Sequence, residues 1–263
     1  MYHVGLTKEQ LKGATYALIP GDPGRVEALA KAMGPATYLG THREFTSWLT
    51  EIMGHPVLVM SSGMGGPCIT FTVEELARLG ITHFIRVGTT GSIRDDLNLG
   101  DVVISKAAVR LDGASKAYAP IEYPAVADLD ITLALRQAAQ ELDVPFKVGI
   151  TVSTDSFWPG QERYDSFKAY VPRHLQGTLK EWQALGCTNY EMEAATLFVL
   201  TNAFGLHAGC ICGVIAKRTD SEAVAPRDIY LKSQDRFQRV AKRALEILIG
   251  TAIAAPAAEP DQQ

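Results

Sequence analysis

Short apolar runs alternate with amphipathic stretches along nearly the whole chain, and several runs end in glycine-rich turns. That alternation predicts an α/β fold around a mostly parallel or mixed sheet. Strands are expected at Thr15–Pro20, Phe45–Met53 and Pro56–Ser61 (a hairpin), residues 81–87, Val102–Val109, Val148–Ser153 and His207–Ala216. Helices are expected after Gly21-Asp-Pro-Gly-Arg25 through Met33, from the Gly63-Met-Gly-Gly-Pro67 turn through Leu79, and over Asp128–Leu142. Further helices are expected over Leu179–Leu185, Asn189–Phe204 and Pro226–Ile249. Residues 1–250 read as one domain, with no repeat or linker to divide them. Residues 251–263, rich in Ala, Pro and acidic or amide side chains, read as a disordered tail.

The 263 residues are 47% apolar and 21% charged, enough to bury a sizeable core, and the formal net charge is −4. An acidic chain is a poor non-specific partner for nucleic acid or an anionic membrane. No stretch has the apolar length of a membrane span, and Met1 to Lys8 lack the apolar core of a secretory signal. The four cysteines form no C-x-x-C pair, and Cys210 and Cys212 share one side of an expected strand, as small buried hydrophobes do. A reducing cytoplasm is the simplest compartment for such a chain.

Chemistry concentrates in three places. Ile81-Thr-His-Phe-Ile85 runs into Arg86-Val-Gly-Thr-Thr-Gly-Ser92, so a guanidinium is expected where a buried strand ends. Gly88 and Gly91 permit close approach of a ligand, and an arginine fork suits an anion such as phosphate. A solvated arginine at a strand-to-loop turn is the other reading of this stretch. Arg25, after Gly21, and Arg43 are cations beside turns and would strengthen an anion site.

The second place is Phe157-Trp-Pro-Gly-Gln161-Glu-Arg163, which offers an aromatic face, an amide and a guanidinium. An amide both donates and accepts, so Gln161 can pair with the edge of a planar heterocycle, whereas Arg163 only donates. The third is Asn189-Tyr-Glu-Met-Glu193. Glu191 reads as an ordinary partner of a helix N-terminus, while Glu193 precedes apolar residues and reads as a buried carboxylate in need of partners, which vicinal sugar hydroxyls would supply. The P-loop pattern and the nucleophile elbow are absent, and Cys68 interrupts the one approximation to a dinucleotide fingerprint.

Six stretches taken in order resemble the bacterial uridine phosphorylases of the hexameric nucleoside phosphorylase family. They are Gly21-Asp-Pro-Gly-Arg25, His42-Arg-Glu-Phe45, Arg86-Val-Gly-Thr-Thr-Gly91, Arg110-Leu-Asp-Gly-Ala-Ser115, Phe157 to Arg163, and Tyr190-Glu-Met-Glu193. The likeness spans His3 to about residue 249. It implies a single α/β domain whose mixed sheet curls into a distorted barrel flanked by helices, assembled as a homohexamer, a trimer of dimers. It implies reversible phosphorolysis of uridine to uracil and ribose 1-phosphate, a step of pyrimidine nucleoside salvage. By the same resemblance, phosphate would contact Gly21, Arg25, Arg86 and Thr89, with Arg43 supplied by a neighbouring subunit. The base would lie by Gly91, Phe157, Gln161, Arg163 and Arg218, and the ribose by Thr89, Met192, Glu193 and a neighbour's His3.

The resemblance also implies where the chain departs from its family. Purine-cleaving relatives carry a Ser-Asp pair after the late strand, where this chain reads Ala216-Lys-Arg-Thr219, which favours a pyrimidine. Relatives with a potassium site use a Glu, a backbone carbonyl and a Ser. Glu44 and Met64 match the first two, but Cys68 replaces the Ser, and a thiol is a poor ligand for a hard cation. No cofactor is expected to be required.

Overall fold

The computed structural model describes residues 1–254. Ten strands form one mixed sheet. β1 (Tyr16–Ile19) leads through a 3-10 turn at Pro23–Arg25, capped by the Asp22 carboxylate, into α1 (Val26–Met33). β2 (Ala36–His42), β3 (Phe45–Ile52) and β4 (His55–Met60) make an antiparallel meander. α2 (Gly66–Leu79) follows Gly65, whose φ of +84° turns the chain into Pro67 of the first helical turn. Then come β5 (His83–Ser92), β6 (Val102–Leu111), the short β7 (Ala125–Val126) and α3 (Leu129–Glu141), whose first turn is capped by Asp128. β8 (Phe146–Thr154), α4 (Thr178–Ala184), β9 (Asn189–Glu191), α5 (Ala194–Ala203), β10 (His207–Lys217) and α6 (Arg227–Ala254) complete the order.

Five strands close on themselves. β5 pairs with β10, β10 with β6, β6 with β8, β8 with β9, and β9 returns to β5. The distorted barrel expected from the family resemblance is this ring. The remaining strands extend from β5 as a wing in the order β1, β4, β3, β2, with β7 beside β6. One core lies among α2, α5 and the sheet, and a second among α1, α3, α6 and the sheet. α5 is buried at every position from Ala194 to Thr201, as its all-round apolar sequence requires. Among the described residues no helix is long and apolar enough to cross a membrane.

Four expectations need correction. β5 is longer than the strand expected at 81–87, so Arg86 stands within it and not at its end. Residues 189–191 are a strand and not the first turn of a helix, because they are captured between β5 and β8, and α5 begins at Ala194. β2, with no strict alternation of apolar residues, was not among the expected strands and pairs along the edge of β3. α6 continues to Ala254, so residues 251–254 of the expected tail are helical, and residues 255–263 lie outside the described residues.

Candidate active site

β4, β1, β5 and β10 run parallel to one another, so their carboxyl ends gather at one end of the sheet. Ligands in open α/β sheets bind at such ends. A cavity of about 280 Å³ opens there, lined by groups that follow β1, lie on β5 and β9, or belong to the loops after β8 and β10. Arg86 reaches it from mid-strand because it is level with Ile19, the last residue of the shorter β1.

One end of the cavity is cationic. Arg86 is only 5% exposed, which rules out the solvated reading. Its Nε donates to Glu191 Oε2 at 3.0 Å and its Nη2 pairs with Glu193, while Nη1 is buried with no partner among the described residues. Burial opposes the charge, but Glu193 and Glu191 outweigh it and hold the guanidinium above its ordinary value. Burial pushes the Glu191 carboxyl up, against the pull of Arg86. Arg25 brings two further buried, unpartnered nitrogens, Nε and Nη1. Buried donors are normally satisfied, so three orphaned guanidinium nitrogens beside Gly21 and Thr89 mark a place for an oxyanion.

Gly88 explains how Arg86 fits. A Cβ there would lie 2.9 Å from Cys212 Sγ and 3.0 Å from Arg86 Nη2. Cys210 and Cys212 sit beneath, fully buried, with their sulfurs 3.7 Å apart.

The other end combines an aromatic floor with hydrogen-bonding groups. Phe157, Gln161, Arg163, Tyr190, Met192 and Ile215 line it, with Gly91 between the two ends. Arg163 stacks its guanidinium over Phe157 at 4.1 Å and leaves Nε buried and unpartnered. Arg218, 7% exposed, donates to the Gln161 and Glu162 carbonyls. Both arginines approach Gly91, where a Cβ would be 3.4 Å from Arg218 Cγ and 3.8 Å from Arg163 Nη2.

Glu193 bridges the ends. Its buried carboxylate finds its partners within the protein, since Oε1 accepts from the Gly65 N–H at 2.6 Å and Oε2 faces Arg86. Sugar hydroxyls are therefore not needed to satisfy it, and any sugar contact adds to these. Glu191 does more than partner a helix end. It accepts from the Ala194 and Glu193 N–H groups and from Ser153, and it holds Arg86 as well. Two carboxylates at 191 and 193, on either side of a single methionine, were the available signal for this role.

Not every expected residue reaches the cavity of its own chain. His3 is held by Glu75, with Nδ1 2.7 Å from Oε1, and its ring packs on Phe71. Arg43 is exposed, has a φ of +56° and lies over the Tyr2 ring. Met64 lines the cavity, while Cys68 Sγ sits 3.9 Å from Glu44 Oε1. Burial, Glu44 and Glu193 all push the Cys68 thiol up, so it stays protonated. A neutral thiol is a poor ligand for a hard cation such as potassium. Arg110 does not line the cavity either. It is buried among the carbonyls of Ser115, Ala119, Pro120, Ile121 and Tyr123 and fixes the loop after β6. Tyr190, Ile215, Val224 and Tyr230 line the site without having been expected there, because only the register of β9 and the path of the loop after β10 bring them in.

Comparison with known proteins agrees with this geometry. The model of the phosphorylase superfamily matches residues 15–253. The uridine phosphorylase of Escherichia coli is 52% identical over 222 residues, covering 84% of this chain and 88% of that protein. The uridine phosphorylase of Haemophilus influenzae is 51% identical over 235 residues, 89% of this chain and 92% of the relative. That of Thermococcus kodakarensis is 45% identical over 221 residues, 84% and 79% of the two chains. Matched over nearly all of its length, the chain belongs to the phosphorylase superfamily.

Proposed function

We propose that this chain catalyses the reversible phosphorolysis of uridine, giving uracil and ribose 1-phosphate. The observation that carries the reading is the division of one cavity into a cationic end with orphaned guanidinium nitrogens and an amide–arginine end beside an aromatic floor. Half-identical uridine phosphorylases support the choice of nucleoside.

Phosphate held by Gly21, Arg25, Arg86 and Thr89 attacks C1′ as the bond to uracil N1 breaks, and the bonding pair leaves with the base. The sugar becomes oxocarbenium-like, as in glycoside hydrolysis, and the dianion both stabilises that charge and captures it. No protein nucleophile is needed. Glu193 and Met192 fix the ribose so that C1′ faces the phosphate. Gln161 and Arg163 line the cavity and meet the uracil oxygens, where charge grows in the transition state, and Arg218, packed beside Gly91 and donating to the Gln161 carbonyl, adds its positive charge behind them. Cytidine is rejected because its amino group would face an arginine, which only donates, and its N3 carries no proton to give.

His3 and Arg43 lie outside this cavity, which suits their delivery to a neighbour's site in a homohexamer built as a trimer of dimers. The chemistry requires no cofactor, and the Glu44–Cys68 pair gives potassium no adequate oxygen set. We assign it to the cytoplasm, in pyrimidine salvage.

The test is incubation with uridine, thymidine, cytidine and inosine, with and without phosphate, and chromatography of the products. Uracil release that depends on phosphate is expected. Release without phosphate would make the chain a hydrolase, inosine cleavage alone would make it a purine enzyme, and binding without turnover would make it a sensor.

A further inference from the structure

The loop between β10 and α6 brings Glu222 against the two arginines at the base end of the cavity. Glu222 Oε1 accepts from Arg218 Nη2 at 3.0 Å, and Oε2 lies 2.8 Å from Arg218 Nε. Oε2 also accepts from Arg163 Nη1 at 3.2 Å, and the Glu222 backbone carbonyl accepts from the same nitrogen at 2.9 Å. Arg163 and Arg218 are 2% and 7% exposed. Burial and the neighbouring Arg218 hold the Arg163 guanidinium below its ordinary value, and Glu222 opposes that shift. The loop is itself tied to the sheet, by a bridge between Ala216 and Val224 and by the Ala225 N–H donating to Ile215 at 2.6 Å. Val224 of the same loop forms part of the cavity wall.

We propose that Glu222 is a positioning residue for the departing base. It clamps Arg163 and Arg218 together so that the uncommitted N–H donors of Arg163 stay aimed at the uracil oxygens with the Arg218 charge held behind them, and it makes that aim depend on the loop. This rests on the uridine reading above. Two buried like charges without a counter-charge separate or draw in water, and a displaced donor contributes little to a developing anion. One carboxylate for two guanidiniums leaves a net positive charge at the base end, the sign that a uracil anion needs. Glu222 touches no reacting atom and acts only through the arginines.

The experiment compares the full-length wild type with Glu222→Ala and Glu222→Gln. Uridine and 5-fluorouridine are the nucleosides, and phosphate is varied in separate series. For Glu222→Ala, kcat/KM for uridine is expected to fall at least about tenfold while the KM for phosphate stays within about twofold. The fall should be smaller for 5-fluorouridine, whose more acidic base needs less stabilisation as it leaves. Glu222→Gln, which keeps one acceptor oxygen, should recover part of the loss. Unchanged kinetics would overturn the proposal. So would equal losses for both nucleosides or a matching rise in the phosphate KM, because either would mean that the site had merely loosened. Calorimetric titration of uracil separates the two levels of inference. A wild type that binds uracil without turnover defeats the phosphorolysis reading alone, and an unchanged uracil affinity in Glu222→Ala then defeats the clamp.

Discussion

The two ends of the cavity are built on different supports. At the phosphate end the key cation rises from the middle of a central strand and is locked by two carboxylates, one of which also caps a buried helix. At the base end, one arginine comes from the loop after β8 and the other from just beyond β10, and both are held by loop carbonyls and a loop acid. A nucleophile common to every substrate can be met by a fixed frame, whereas a leaving group that differs between family members is met by parts that loops can rearrange.

The largest effect should come from Arg86→Ala. Charge-assisted hydrogen bonds contribute about 1.5–3 kcal/mol each, so phosphate-dependent turnover is expected to fall on the order of a hundredfold or more. Leaving Glu191 and Glu193 buried and unpaired should also cost about 3–5 kcal/mol, read by urea unfolding. A variant with wild-type stability would break the contrast by showing that the phosphate end is not part of the frame. Gly88→Ala tests the same end more gently. Its methyl would press on Cys212 and Arg86, and about a tenfold rise in the KM for phosphate is expected, with uridine little affected. An equal effect on both substrates would mean that the ends are not independent.

The smallest effect is expected at Tyr190, on the base floor. Its hydroxyl is buried without a partner among the described residues, so Tyr190→Phe should change stability at neutral pH by no more than about 1 kcal/mol and turnover by less than about twofold. Burial pushes the phenol up to about 12 from an ordinary 10.0. A raised value in the folded state means that the phenol favours the fold fully below the unfolded value, and that this contribution is lost as pH rises through the folded value. Urea midpoints taken from pH 8 upward should show the wild type losing ground to the Phe variant above pH 10. A large loss of activity at neutral pH would give the phenol a chemical role and blur the apolar character of the floor.

The frame was easier to read from sequence than its wiring. The apolar runs of β1, β5, β6 and β10 and the amphipathic α1, α3 and α6 carry their period in their own residues. Arg86 was visible as a cation beside glycines, but its burial depends on the longer β5 and on carboxylates more than a hundred residues away. β9 was unreadable for a related reason. Asn189–Glu191 precedes a helix-forming run and becomes a strand only because β5 and β8 flank it. Glu222 carried no local signal at all, since an acid in a loop, here one of two with Asp220, is ordinary until two arginines are seen to converge on it.

β10 carries one extra residue against β5. Val214 stands opposite Thr90 and Ala216 opposite Gly91, so Ile215 has no counterpart on β5. That odd residue turns into the cavity, accepts from the loop through its carbonyl, and sets the phase of everything up to Arg218. Because neighbouring strand residues point to opposite faces, removing it would turn Arg218 away from the base while leaving every catalytic side chain in the gene. Point substitutions can therefore retune this pocket by degrees, but only a change in chain length at that step can reverse which way the strand delivers its guanidinium.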